Sequence, residues 1–185
     1  MALVTICPTK LDRAIADFTG KYATPQIEGA LQWVTYAADE HVLFAVSLGF
    51  WLLSRGMSPR RRRAASYLML NVAASAAVLH VLKALVDQER PDRRVRGRRQ
   101  GIPISGKACD AFPSGHAVHI GAVASAVTRY FPGLKRVAWT FGGGIAATRI
   151  LLLAHWTTDV VAGLALGATL ERALCAVWQQ RLARR

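Results

Sequence analysis

DAFPSGHAVHI, residues 110–120, places a Pro-Ser-Gly-His run directly before an apolar stretch. Ser114 reads as a helix cap, and Gly115 lets the backbone approach a neighbour closely. From Gly115 to Phe131 the chain is apolar enough to read as a membrane-crossing helix. His116 therefore stands on the first turn of a helix that enters a membrane. Polar residues at such depth are costly, so the question is what else lies at the same end of the neighbouring spans.

Composition agrees with a membrane setting. The 185 residues are 52% hydrophobic yet carry a net charge of +13, with a mean hydropathy of +0.24. Apolar spans joined by basic connections reconcile these values. The apolar runs are too long for a basic nucleic-acid-binding domain. Cys7, Cys109 and Cys175 form no Cys-x-x-Cys pair, so neither a disulfide framework nor a zinc site follows. The N-terminus has no basic start followed by a long apolar core, so no signal peptide is expected.

Outward from the opening stretch, the spacing predicts an all-α integral membrane bundle. Spans are expected at about Glu40 to Ser54, Ser66 to Val86, Gly115 to Phe131, Val137 to Ala154 and Trp156 to Trp178. Asp39 and Glu40 interrupt the backward extension of the first span. Before it, Leu11, Ile15 and Phe18 recur at helical spacing, and Thr24-Pro25 starts a second helix with Ile27, Leu31 and Val34 on one face. These two are too short and polar to cross a bilayer and read as amphipathic interfacial helices. Residues 1–36 thus form an amphipathic arm, and residues 37–185 a membrane-embedded domain.

Basic residues are nearly balanced across the bundle. Arg55, Arg60, Arg61, Arg62, Arg63, Arg129, Lys135, Arg136, Arg181, Arg184 and Arg185 lie on one side. Lys10, Arg13, Lys21, Arg93, Arg94, Arg96, Arg98, Arg99 and Lys107 lie on the other. The larger set marks the cytoplasmic side and puts the arginine-rich loop after Arg90 outside.

Several polar residues converge on that outer side. Lys83 closes the second span, and Arg90 follows it. Ser114, Gly115 and His116 open the third. Thr148 and Arg149 end the fourth, while His155 and Asp159 open the fifth. Asp159 lies about one turn inside an apolar span, where a carboxylate normally has a partner. His155 is four residues before it, on the same helical face, so the pair reads as a carboxylate orienting an imidazole. Lys83, Arg90 and Arg149 would repel each other around one pocket unless a multiply charged anion filled it. Guanidinium groups and a helix start both suit phosphate. Two histidines beside a phosphate suit in-line displacement, one attacking phosphorus and the other protonating the leaving oxygen.

These motifs resemble the type 2 phosphatidic acid phosphatase superfamily. KALVDQERP (residues 83–91), PSGH (113–116) and TRILLLAHWTTD (148–159) match its three-part signature in order. Thr148 stands where the family usually has serine, and the family commonly has six spans where five are counted here. The resemblance implies that His155 is the nucleophile and forms a phosphohistidine, that Asp159 orients it, and that His116 is the general acid and then the base. It also implies that Lys83, Arg90, Ser114, Gly115, Thr148 and Arg149 hold the phosphate. No metal or cofactor is implied.

The expected function is a membrane lipid phosphatase, its site on the extracytoplasmic face of a bacterial inner membrane. Its partners would be the bilayer and a lipid phosphate: a polyprenyl phosphate or diphosphate, a polyprenyl phosphosugar or a phosphatidate-type lipid. A lipid-linked phosphotransferase and a non-enzymatic anionic-lipid-binding protein are the alternatives. His119 reads as a packing residue, and His41 with Asp39 and Glu40 as an interfacial polar cluster. FGGGIAA (141–147) reads as a close helix-packing segment. DRRVRGRR (92–99) would hold anionic head groups near the pocket mouth.

Overall fold

The computed structural model describes residues 3–22, 24–91 and 109–183, so DRRVRGRR lies outside the described residues. The order is β1 (Val4–Thr5), α1 (Lys10–Tyr22), α2 (Pro25–Tyr36), α3 (Glu40–Leu53), α4 (Pro59–Leu85), β2 (Val86–Asp87), α5 (Gly115–Tyr130), α6 (Lys135–Leu151) and α7 (Thr157–Ala183).

Local chemistry sets several boundaries. The Thr24 hydroxyl accepts the Ile27 N–H at 3.4 Å, with Pro25 following at the helix start. The Asp39 carboxylate accepts N–H groups of His41 at 2.9 Å and Val42 at 3.4 Å, which starts α3. After α4 the chain turns extended. Val4 and Thr5 pair in parallel with Val86 and Asp87. Gln88 then bridges to Asp110, through Gln88 N–H to Cys109 C=O and Ala111 N–H to Gln88 C=O, both 3.1 Å. These bonds bring the residue after α4 beside the residues before α5.

α5 is central and packs on α4, α6 and, most extensively, α7. Gly121, Gly163 and Gly167 permit the last contact. A Cβ on Gly121 would collide with the Leu164 carbonyl, and one on Gly167 with the Val118 carbonyl. The FGGGIAA expectation holds only at Gly142, whose Cβ would meet Ile120; Gly143 and Gly144 face open space. At the far end of the same helix pair, Glu171 is fully buried. It accepts bonds from Tyr67 at 2.8 Å, Ser125 at 2.7 Å and Arg129 at 2.9 Å. A buried carboxylate with this many donors is a fixed tie between helices.

Two helices, Pro59–Leu85 and Thr157–Arg181, are long and apolar enough to cross a membrane, and only 22% and 28% of their apolar windows are buried. A soluble protein's core helix would hide most of that surface. α3, α5 and α6 have 14, 16 and 17 residues, or roughly 21 to 26 Å at 1.5 Å per residue. Large apolar side chains face outward, including Leu53, Val81, Phe141 and Val161.

The N-terminal segment is stitched to the rest. Asp12 accepts the Thr158 N–H and hydroxyl, both at 2.9 Å, and Ala16 packs with Ala111, Leu153 and Trp156. Leu153 has φ of 52°, in the left-handed region rarely used by side chains of this size. It turns the chain sharply between α6 and α7, where the candidate site lies.

Candidate active site

A cavity of about 470 Å³ opens where α3, α4, α5 and the α6–α7 turn meet. Lys83, Arg90, Gly115, His116, Arg149 and His155 all line it. Six of the nine expected site residues, from α4, the chain after β2, α5, α6 and the turn before α7, therefore meet at one surface. Ser114, Thr148 and Asp159 are buried and do not line it.

The arrangement of His155 differs from the expected one. His155 precedes α7, so the one-turn relationship with Asp159 does not apply to its side chain. Its Nδ1 lies 2.7 Å from the Ala111 carbonyl and 3.9 Å from the Asp159 carboxylate, too far for a hydrogen bond. A carbonyl can only accept. Nδ1 therefore carries the proton, and the lone pair is on Nε2. Asp159 Oδ2 instead accepts the Trp156 N–H at 2.9 Å, which fixes the backbone of the turn just after His155. Burial, followed by the charges of Arg90, Arg149 and Lys83, holds the His155 imidazole well below its ordinary pKa and so neutral.

Two hydroxyls also depart from expectation. The Ser114 side chain makes no capping bond, and its Oγ has no hydrogen-bond partner among the described residues. The α5 start is anchored by its backbone instead, Ser114 N–H donating to the Asp159 carbonyl at 3.2 Å. Thr148 Oγ1 donates to the Ile145 carbonyl at 2.6 Å, the back-bonding usual for a threonine inside a helix.

The cations are not left to repel one another. Asp110 Oδ1 accepts from Arg90 at 2.7 and 3.1 Å, and its Oδ2 lies 3.4 Å from Lys83 Nζ. Arg90 also donates to the Ala154 carbonyl at 3.0 Å. Arg149 is buried, with one weak bond to Thr35 at 3.4 Å and no partner for its Nε among the described residues. A fixed, desolvated guanidinium with an unused donor is chemically suited to an anion.

Sequence reasoning missed Asp110, although it stands three residues before Pro113 as one of only two carboxylates, with Asp92, between the first two motifs. It also read His119 as packing and the residues around Glu40 as interfacial. In the structure Asp39, Glu40, His41, His80 and His119 all line the same cavity. Their positions depend on how α3 meets α5, which no local pattern encodes.

The chain is similar to known proteins over most of its length. A sequence model described as the PAP2 superfamily matches residues 64–183. A lipid A 1-phosphatase of Rhizobium johnstonii is 31% identical over 146 residues, covering 76% of this chain and 59% of that protein. A second, from Rhizobium etli, is 34% identical over 104 residues, 55% of this chain and 45% of that protein. The chain thus spans about half the length of these two relatives. Phosphatidylglycerophosphatase B of Bacillus subtilis is 25% identical over 181 residues, 91% of this chain and 84% of that protein. Among solved structures, Aquifex aeolicus LpxE superposes with a TM-score of 0.71 at 18% identity, covering 90% of this chain and 93% of that one. The transmembrane PAP2 type phosphatidylglycerolphosphate phosphatase of Bacillus subtilis gives 0.65 at 16% identity, covering 92% and 85%. At these identities the structural likeness establishes the fold.

Proposed function

The chain belongs to the PAP2 superfamily, and from that membership we propose that it is a membrane lipid phosphatase acting through a phosphohistidine. The observation that carries this reading is the His155 ring: buried, neutral, its Nδ1 proton committed to Ala111, in a cavity shared with Lys83, Arg90 and Arg149. Such a ring has one free lone pair and no other evident use.

In the proposed reaction the three cations and the backbone N–H groups at the α5 start hold the phosphate, with Gly115 allowing close approach. Ser114 and Thr148 contribute hydroxyls once substrate is bound. Nε2 of His155 forms a bond to phosphorus as the phosphorus–oxygen ester bond breaks. His116 gives its proton to the leaving oxygen. Water then attacks the phosphohistidine, His116 takes the water's proton, and inorganic phosphate departs with the His155 ring restored. Asp159 positions His155 through the Trp156 N–H.

The five helices α3 to α7 would cross the membrane, with residues 1–36 as an arm whose helices lie at the interface. The site would face the extracytoplasmic side of a bacterial inner membrane, admitting a head group while its tail stays in the bilayer. The relatives' names favour a lipid A-type 1-phosphate or a phosphatidylglycerophosphate over a polyprenyl phosphate. The test is phosphate release by purified protein from a panel of these lipids, with acid-labile, base-stable labelling of His155 by labelled substrate. No release from any of them, or release undiminished in His155→Ala, would remove the reading.

A further inference from the structure

The cavity contains more than phosphate chemistry needs. Its cationic groups, Lys83, Arg90 and Arg149, lie around His116, whereas His119 has the carboxylates of Glu40 and Asp39 as its charged neighbours, with His80 nearby. His119 is 1% exposed, and neither ring nitrogen makes a hydrogen bond among the described residues. Its Nε2 stops 3.8 Å from Oε2 of Glu40. That gap is too wide for a direct bond, and one oxygen placed beside it would lie within bonding distance of both atoms. A phosphate would be repelled there by Glu40 and Asp39. A hydroxyl fits, accepting from the imidazole and donating to the carboxylate.

The position relative to the reacting atoms follows from α5. His116 and His119 are one turn apart on the same helix face, with roughly 5 to 6 Å between such side-chain origins. If His116 protonates the leaving oxygen, His119 faces the atoms attached to that oxygen. Beyond His119 the surface becomes apolar. His119 also lines a second cavity with Ile120, Val123 and Val127 of α5 and Leu43 of α3, continuing along the helix. Phosphate-holding residues, a polar pair and an apolar groove therefore follow one another along one helix.

We infer that Glu40 and His119 form a specificity pair that binds a free hydroxyl on the leaving group, which selects phosphate esters of a sugar or glycerol over those of a bare hydrocarbon chain. This rests on the phosphatase reading above. A substrate without the hydroxyl would leave a buried imidazole and a carboxylate facing hydrocarbon, and sites built this way discriminate by about tenfold or more.

The experiment compares kcat/KM for an acylated glycosyl 1-phosphate, a phosphatidylglycerophosphate and a polyprenyl phosphate, in the parent, Glu40→Leu and His119→Gln. The readout is the ratio of each hydroxylated substrate to the polyprenyl phosphate, in which any loss of folded protein cancels. The parent is expected to prefer at least one hydroxylated substrate about tenfold or more, the preferred arm telling sugar from glycerol. Both variants are expected to bring that ratio close to one. A ratio unmoved by either substitution, or no preference in the parent, overturns the inference while leaving phosphatase activity intact. Failure of the parent on all three lipids overturns the phosphatase reading, and the inference with it.

Discussion

His155 is held by a main-chain group: its Nδ1 lies 2.7 Å from the carbonyl oxygen of Ala111. Ala111 belongs to the segment preceding PSGH, so the first turn of α5 and the turn before α7 are locked through this bond. The Asp159 carboxylate, 3.9 Å from the ring, acts one step away by holding the Trp156 N–H. The Asp159→Asn amide oxygen can still accept that N–H, whereas Asp159→Ala cannot. Asp159→Asn should therefore keep a clearly larger fraction of kcat than Asp159→Ala. Equal losses in steady-state assays would mean that the negative charge, rather than the turn, matters.

The two histidines should separate kinetically. His155→Ala should lower turnover by about a thousandfold or more and abolish labelling by substrate phosphate. His116→Ala should slow release of a poor, alkoxide-type leaving group far more than release of a phenolate, which needs little protonation. A His116→Ala defect independent of leaving-group acidity would contradict its role as the acid.

Asp110 joins the buried Arg90 and the half-buried Lys83 in one cluster. Removing one partner leaves a charge without its counterion, so Asp110→Asn should destabilise the protein by about 3 kcal/mol. It should also increase inhibition by vanadate, because two cations lose a competing carboxylate. Unfolding in detergent and an inhibition curve test both halves.

Acid should destabilise the fold through two groups. Burial alone would raise the Asp12 pKa, but hydrogen bonds from the backbone and hydroxyls of Thr158 and Thr9 outweigh it and hold the carboxyl below its usual range. Its contribution is present above its unfolded value, about 4, and is lost as pH falls through the depressed native value. His155 is depressed as well. The unfolded chain takes up its proton near pH 6.5 and the native state does not, so stability falls as pH drops below about 6.5. Asp12→Asn should flatten the more acidic part of the stability–pH curve. The same depression keeps His155 unprotonated, so the single-turnover phosphorylation step should not slow between pH 8 and about 6 on its account.

Three fixed cations supply the charge that a divalent ion would otherwise bring. Phosphate release should survive exhaustive chelation. Loss of activity restored by magnesium or zinc would count against the site as drawn.

The α5–α7 contact gives a packing prediction. Gly121→Ala and Gly167→Ala each drive a methyl group into a backbone carbonyl, which cannot swing aside like a side chain. Each should cost about 3 kcal/mol or force the helices apart, reducing the folded yield. Gly143→Ala, facing open space, is the control and should be silent.

The sequence by itself determined the helical elements, most of their boundaries and six of the residues that share the cavity. Apolar runs, caps and spacing are local properties, and charged residues at span ends are conspicuous against a hydrocarbon background. It could not show which partner each polar atom takes. His155 lies just outside α7; the i,i+4 spacing put Asp159 near the ring, at 3.9 Å, but could not reveal the Ala111 carbonyl that holds it, which has no side-chain signature. Asp110 meets Arg90 only because the chain after α4 runs beside the chain before α5. Glu40 meets His119 only because α3 and α5 converge. The close glycines proved to be Gly121, Gly163 and Gly167, with only Gly142 from the run at 142–144, because only the crossing of two helices decides which faces touch. Hydrogen bonds and close packing depend on distances of a few ångströms between segments far apart in sequence, and tertiary structure alone sets those distances.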